Sequence, residues 1–199
     1  MPIEEPAAGC VRYRESLSFT MPAETLTPAV FFDRDGTIMH DANYLGDPGG
    51  VEVFPFVAGA LKRLKAHGFT LIMITNQSGI GRGYFTIAQY NAVHAEVLRQ
   101  LGDPIIDATY FCPDPPGVHS LCRKPAPGMV RQGGREHDVD LTRSIFIGDK
   151  EIDVHCGHNA GIKSIRVRTG FETNTDDSSA DWVAENFADA TEIILTKFL

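Results

Sequence analysis

Short apolar runs and amphipathic stretches take turns along most of this chain. Ala29-Val30-Phe31-Phe32, Phe69 to Ile74, Ile105 to Phe111, Ser144 to Ile147 and Ile165 to Val167 are rich in β-branched and aromatic residues, and a shorter sixth run surrounds Trp182-Val183. Runs of this length and composition predict buried strands. Between them the apolar positions recur at helical spacing. Over 56–67, Val57, Leu61 and Leu64 form a stripe with Lys62, Arg63 and Lys65 outside it, and Gly68 closes the segment. The next helix starts at Thr86, whose spacing to Gln89 fits a capping box, and carries Ile87, Tyr90, His94, Val97, Leu98 and Leu101 on one face. His94 reads as a histidine at the edge of the core. Further helices are predicted over 127–137, weakened by Gly133-Gly134, over 151–160 with Gly161 as cap, and over 188–198.

Strands alternating with helices imply an α/β fold, a doubly wound, Rossmann-like parallel sheet covered on both faces. Residues 28–199 are expected to form this single domain. Residues 1–27, with Pro2, Pro6 and Pro22 and no sustained periodicity, are expected to be a loosely packed or disordered arm. The informative pattern lies in the polar residues. Asp33 and Asp35, Thr75 and Asn76, Arg123 and Lys124, and Asp149 all fall just past a strand or in the loop after one. In a doubly wound sheet those positions meet at one edge, where ligands bind.

Composition narrows the function classes. Of 199 residues, 43% are hydrophobic and 22% charged, which is ordinary for a globular domain, and no apolar run approaches the length of a membrane span. The N-terminus lacks the basic and apolar regions of a signal peptide, so a cytoplasmic protein is expected. A net charge of −8 argues against nucleic acid as partner and leaves room for a small phosphorylated ligand. The four cysteines form no dense framework and are expected to be reduced. No amphipathic seam is left over, so a monomer is expected.

The polar set has a chemistry. Asp33 and Asp35, two residues apart at a strand end, are expected to project to one side with Arg34 on the other, and need a cation or a proton between them. Asp33 and Asp149 offer hard carboxylate oxygens suited to Mg²⁺, with a backbone carbonyl near Asp35 as a further ligand. Asp33 can then attack phosphorus while Asp35 moves the proton. Thr75 and Asn76 can hold phosphoryl oxygens, Lys124 supplies a point charge, and Arg123 a fork for substrate. Asp153, one turn past Asp149, is expected as a helix-start charge supporting the metal loop, with direct ligation as the lesser reading. Gly79-Ile80-Gly81-Arg82-Gly83 matches neither a dinucleotide fingerprint nor a Walker A loop, and its glycines are expected to let the chain clear a phosphate pocket.

Asp33-x-Asp35-Gly36-Thr37, Thr75-Asn76, Lys124 and Gly148-Asp149 resemble, in order, the four motifs of the haloacid dehalogenase-like phosphatases. The longer strings around them, Phe32 to Ile38, Thr75 to Gly83, Arg123-Lys124-Pro125 and Gly148-Asp149-Lys150, are similar to the subfamily that removes phosphate from D-glycero-D-manno-heptose 1,7-bisphosphate or from histidinol phosphate. The resemblance covers about residues 29–170. It implies a Mg²⁺-dependent phosphomonoesterase without a large cap domain, working through an aspartyl-phosphate. Asp33 would be nucleophile, Asp35 general acid and base, and Asp33, Asp35 (through its carbonyl) and Asp149 the metal ligands. Thr75, Asn76, Gln77 and Ser78 would bind the phosphoryl group with Lys124. Arg123 and the loop residues Asp41, Asn43 and Tyr44 would touch the sugar.

The subfamily often carries a structural zinc loop, Cys-x-His then Cys-x-Cys, before Arg-Lys-Pro. Here the segments are Cys112-Pro113-Asp114 and Ser120-Leu121-Cys122. A metal-free loop with two free thiols is expected, and a zinc site of Cys112, Asp114, His119 and Cys122 is the alternative. A regulatory domain that only binds phosphate is the reading from another class. It would be expected to lack Asp33, Asp35, Lys124 or Asp149, and all four are present.

Overall fold

A computed structural model describes residues 11–13, 26–102, 104–171, 175 and 177–198, the first three through their backbone. The strands are β1 (Val11–Tyr13), β2 (Ala29–Phe32), β3 (Thr70–Asn76), β4 (Ala108–Cys112), β5 (Ile145–Gly148), β6 (Lys163–Val167) and β7 (Trp182–Ala184). The helices are α1 (Val57–Ala66), α2 (Ser78–Gly81), α3 (Ile87–Leu101), α4 (Gly128–Glu136), α5 (Glu151–Ala160) and α6 (Phe187–Lys197).

The strands form one seven-stranded sheet in the order β1-β4-β3-β2-β5-β6-β7. β2 through β7 are parallel, and β1 is antiparallel to β4. The chain winds outward from β2 in one direction through β3 and β4, then crosses back to β5 and winds the other way. β2 and β5 therefore flank the point where the winding reverses, the place where such sheets bind ligands. β1 falls in the stretch expected to carry no element. Most of the 1–27 arm lies outside the described residues.

β2 shows why the sheet has two buried faces. All four of its side chains are buried, and alternate residues go to opposite sides. Val30 and Phe32 join Leu71, Met73, Ile145 and Ile147 under α1, α3 and α6, with the Phe187 ring of α6 edge-on to Phe32 at 5.6 Å. Ala29 and Phe31 join Ile72, Ile74, Tyr110 and Phe146 under α4 and α5, through Met129, Val130 and Cys156. Each fully buried side chain of this size contributes about 1.5–3 kcal/mol by leaving water.

The helix ends follow the expected chemistry. Thr86 and Gln89 form the full capping box of α3, and Gly161 closes α5 in the left-handed conformation. His94 is buried, stacked on Tyr90 with ring centres 5.9 Å apart. The short α2 is an element that the glycine-rich sequence concealed.

In place of a cap domain there is a small flap. After β2 the chain turns at once, with the amides of Ile38 and Met39 donating to the Arg34 carbonyl. It runs out and returns with His40 N–H donating to Glu52 O and Phe54 N–H to Ile38 O. The flap tip, Asn43-Tyr44, has left-handed backbone at both residues, supported by Asn43 N–H donating to the Asp41 carboxylate.

Candidate active site

The C-terminal ends of β2, β3 and β5 open into a cavity of about 220 Å³. Asp33, Asp35, Asp41, Asn43, Tyr44, Thr75, Asn76, Gln77, Ser78, Arg123 and Lys124 all line it. Every substrate-side residue singled out from the sequence is thus brought to one place. Asp149 lies beside them in a buried acidic cluster.

Asp33 follows β2 and is fixed by its backbone, whose N–H donates to Ile147 O of β5 at 3.0 Å. Its Oδ1 accepts from Arg34 N–H at 2.7 Å and lies 2.9 Å from Lys124 Nζ. Lys124 is fully sequestered. Its ammonium also reaches Asp153 Oδ1 at 2.6 Å and donates to Ile74 O at 3.1 Å. Burial works against the Lys124 charge, but the carboxylates of Asp153 and Asp33 outweigh it and hold the ammonium well above its ordinary range. Burial pushes Asp33 up to about 6, with Lys124 pulling the other way. Burial, then Asp153 and Asp33, push Asp149 up to about 8.

A cation between these carboxylates would relieve that upward pressure. Asp33, Asp149 and Asp153 are all buried, and one carboxylate oxygen from each lies within 4.8 Å of the others. Asp149 Oδ2 has no hydrogen-bond donor among the described residues. It faces two glycines. A Cβ on Gly36, where φ is +79°, would sit 2.5 Å from Asp149 Oδ2, and a Cβ on Gly170 would sit 2.0 Å from it. The donor set of hard oxygens, one of them buried without a hydrogen bond, fits a divalent cation such as Mg²⁺. Asp153 does more than support the loop. Its Oδ2 accepts from Lys150 N–H at the start of α5 while its Oδ1 holds Lys124.

Arg34 departs from simple strand alternation. Rather than pointing away from the two aspartates, its guanidinium folds back and donates from Nε and Nη2 to both oxygens of Asp35, each at 3.0 Å, with the Tyr90 ring beneath it. The chain has already left the sheet there, so the period of two no longer applies. Gln77 donates through Nε2 to Asp35 Oδ2 and to Thr75 Oγ1, both at 2.9 Å. Asn76 was expected to offer its amide to a phosphoryl group. It lines the cavity, and its side chain also clamps the main chain of Lys124, accepting from Lys124 N–H at 3.0 Å and donating to Lys124 O at 3.2 Å.

Gly79 lines the cavity and its Cα faces the Phe85 ring, while Gly81 faces the Pro113 carbonyl, so both stand at close approaches between loops. One further expectation needs correction. In the 112–122 loop, Cys112 is free but Cys122 is engaged in a disulfide, so the loop does not hold two free thiols. A disulfide sulfur offers no thiolate to a metal. Ser120 Oγ accepts from Cys122 N–H at 3.2 Å and Arg123 N–H at 3.0 Å. The proposed set of Cys112, Asp114, His119 and Cys122 does not fit zinc.

The Lys150 side chain also belongs to this site, beyond what the sequence predicts. Its ammonium reaches Asp41 Oδ2 of the flap at 3.1 Å and Asp149 Oδ2 at 3.7 Å. Nothing local in the sequence signals a pairing across more than a hundred residues. At the mouth, Tyr44 meets Tyr84 edge-on at 4.9 Å, and the Arg82 guanidinium lies 5.7 Å from the Tyr44 ring.

The likeness to known proteins agrees with this geometry. The family model described as HAD-hyrolase-like matches residues 121–190. A D-glycero-D-manno-heptose-1,7-bisphosphate 7-phosphatase of Thermosynechococcus vestitus is 36% identical over 85% of this chain and 96% of its own. The D-glycero-beta-D-manno-heptose-1,7-bisphosphate 7-phosphatase of Escherichia coli K12 is 37% identical over 84% of this chain and 93% of its own. This chain belongs to the haloacid dehalogenase-like phosphatases. Among solved structures, the D,D-heptose 1,7-bisphosphate phosphatase of B. bronchiseptica, complexed with magnesium and phosphate, matches with a TM-score of 0.77 and 32% identity over 85% of this chain and 99% of that one. As a haloacid dehalogenase-like phosphatase the chain is a hydrolase of phosphomonoesters on an α/β core without a large cap. No helix among the described residues is long and apolar enough to cross a membrane.

Proposed function

We propose that this phosphatase removes the 7-phosphate of D-glycero-D-manno-heptose 1,7-bisphosphate, with Mg²⁺ as cofactor. The carrying observation is that Asp33 and Lys124 line a cavity together with the flap residues Asp41, Asn43 and Tyr44, with Asp149 and Asp153 buried against Asp33. The relatives named for this substrate supply the choice of sugar.

An Asp33 carboxylate oxygen attacks phosphorus, forming an acyl-phosphate bond as the bond from phosphorus to the sugar oxygen breaks. Asp35 gives that oxygen its proton. Water then attacks the acyl-phosphate, Asp35 takes the water's proton, and inorganic phosphate leaves with Asp33 regenerated. Gln77, bonded to both Asp35 and Thr75, keeps the proton carrier in register with the hydroxyl that holds the phosphoryl group. Lys124 neutralises charge on Asp33 and on the transferring group. Asp33, Asp149 and the Asp35 carbonyl would hold Mg²⁺, which when bound stabilises the negative charge gathered on the phosphoryl oxygens. Arg123, whose Nη1 donates to the Asp114 carbonyl, presents its remaining donors to the substrate.

Phosphate release from heptose 1,7-bisphosphate, heptose 1-phosphate and histidinol phosphate, each with and without Mg²⁺, tests the reading. The expected result is Mg²⁺-dependent release of one phosphate from the bisphosphate, with the highest kcat/KM of the three. A higher kcat/KM on histidinol phosphate would reassign the substrate. Equal turnover by Asp33→Asn would overturn the chemistry.

A further inference from the structure

The acidic cluster is backed by a wall that none of the phosphatase motifs contains. It comes from the end of β6 and the turn after it. Arg166 is buried in the sheet, 5% exposed, and its Nε donates to the Asp149 main-chain carbonyl at 3.0 Å. Its Nη1 reaches Glu151 Oε2 at 3.1 Å, in the first turn of α5. Glu151 is in turn fastened to the loop before β7, accepting from Ser178 Oγ at 2.9 Å and from Ser179 N–H at 2.8 Å. Farther along, Thr169 Oγ1 donates to the Gly36 carbonyl at 2.7 Å, and Gly170 packs directly on the Asp149 carboxylate.

We propose that Arg166 is a positioning residue for the metal centre, setting the Asp149 main chain through its carbonyl and thereby aiming the Asp149 carboxylate at the cation. The chain turns sharply at Asp149, between the last residue of β5 and the start of α5. The carboxylate there packs on Gly36 and Gly170 and accepts from Thr37 Oγ1 at 3.4 Å, and its aim follows from how the peptide after it is held. The Arg166 side chain spans the two sides of that turn, holding the Asp149 carbonyl with one nitrogen and the Glu151 carboxylate with another. The carboxylate on Glu151 keeps the guanidinium in place, and the serines at 178 and 179 keep Glu151 in place. Partners that orient metal ligands in this way typically carry about 10–100-fold in metal affinity.

The inference rests on reading Asp33 and Asp149, with the Asp35 carbonyl, as the metal site. Binding of Mn²⁺ to the metal-stripped full chain, followed by electron paramagnetic resonance, separates the two. If the wild-type chain binds no Mn²⁺ and Asp149→Asn is no different, the site reading and this inference fall together. If the wild type binds and Arg166→Gln binds equally well, only the inference falls. The expected result is binding weakened by about 10–100-fold in Arg166→Gln, partly restored in Arg166→Lys, which keeps a charged donor for the Asp149 carbonyl or the Glu151 carboxylate. In turnover assays the Mg²⁺ concentration for half activation should rise by a similar factor, while KM for the sugar phosphate at saturating Mg²⁺ stays within about two-fold. A general loss of structure would move both. Glu151→Gln at the partly exposed end of the chain of contacts gives a second, milder variant should Arg166→Gln fail to fold. It should weaken Mn²⁺ binding less than Arg166→Gln, and unchanged binding in it would count against the proposal.

Discussion

The Lys124 ammonium lies 2.9 Å from Asp33 Oδ1, inside the protein and in contact with a second carboxylate on Asp153. One cation therefore offsets two buried anions. Replacing it with an isosteric neutral chain, Lys124→Met, leaves Asp33 and Asp153 facing each other without compensation. Turnover of any phosphomonoester should fall by at least ~100-fold, the scale set by losing a charge placed at the transferring group. Thermal stability should fall too, since an uncompensated buried charge is costly. Steady-state kinetics with a chromogenic phosphate ester and a thermal melt check both. Retained kcat would remove Lys124 from the chemistry.

Asn76 acts on Lys124 from behind. Its two hydrogen bonds to the Lys124 main chain align the loop that carries the ammonium. Asn76→Ala leaves a buried peptide N–H and C=O without their partner, a loss of about 1–3 kcal/mol. The expected kinetic signature is a lower kcat with KM for phosphate esters changed by less than about three-fold, because the phosphate contacts proposed for Thr75 and Gln77 are left in place. A large rise in KM with kcat unchanged would instead make the Asn76 side chain a substrate contact.

How much of this was legible follows from where each residue sits. Asp33, Thr75 and Asp149 stand at the ends of apolar strands, and a parallel sheet brings strand ends together whatever the details. That is why these positions follow from pattern alone, whereas Asp41, Asn43 and Tyr44 follow only from the resemblance to the family. The rule of alternation failed at Arg34, because the chain turns as soon as β2 ends and side-chain direction is then set by the turn. The hydrogen-bonding use of Asn76, the Lys150–Asp41 pair and the Arg166 wall depend on contacts between distant segments. No local periodicity encodes them. Gly170 was invisible for a related reason. A glycine shows in sequence that space is needed but does not say whose carboxylate fills it.

His94 predicts a pH dependence of stability unconnected to the metal. Burial, then the nearby Arg34 charge, lowers its pKa from 6.5 to about 3. The folded protein thus keeps the ring neutral where the unfolded chain would take up a proton. Stability from this group is fully present above about pH 6.5 and is lost as pH falls toward 3, by up to ~1.4 kcal/mol per pH unit. At pH 5 the loss should be roughly 2 kcal/mol. Urea unfolding of wild type and His94→Phe, which keeps a ring against Tyr90, should show the gap between pH 7 and pH 5 shrinking by that amount in the variant. An unchanged gap would place the acid sensitivity elsewhere.

Gly36 brings the loop after β2 against the Asp149 carboxylate. Its backbone is left-handed at φ +79°, and a Cβ there would come 2.5 Å from Asp149 Oδ2, the buried oxygen that lacks a donor. Gly36→Ala therefore imposes two costs at one point: a strained backbone of order 1–2 kcal/mol and a displaced carboxylate. The strain acts on folding with or without a cation, whereas the displaced carboxylate acts only on the loaded protein. The variant should melt below wild type in metal-free buffer, and added Mg²⁺ should raise its melting temperature by much less than it raises that of wild type. Its activity should be recovered only in part by excess Mg²⁺. A variant that melts lower but gains as much as wild type from Mg²⁺ would mean that the Asp149 carboxylate moves aside at no cost to the metal site, and Gly36 would then matter for its backbone alone.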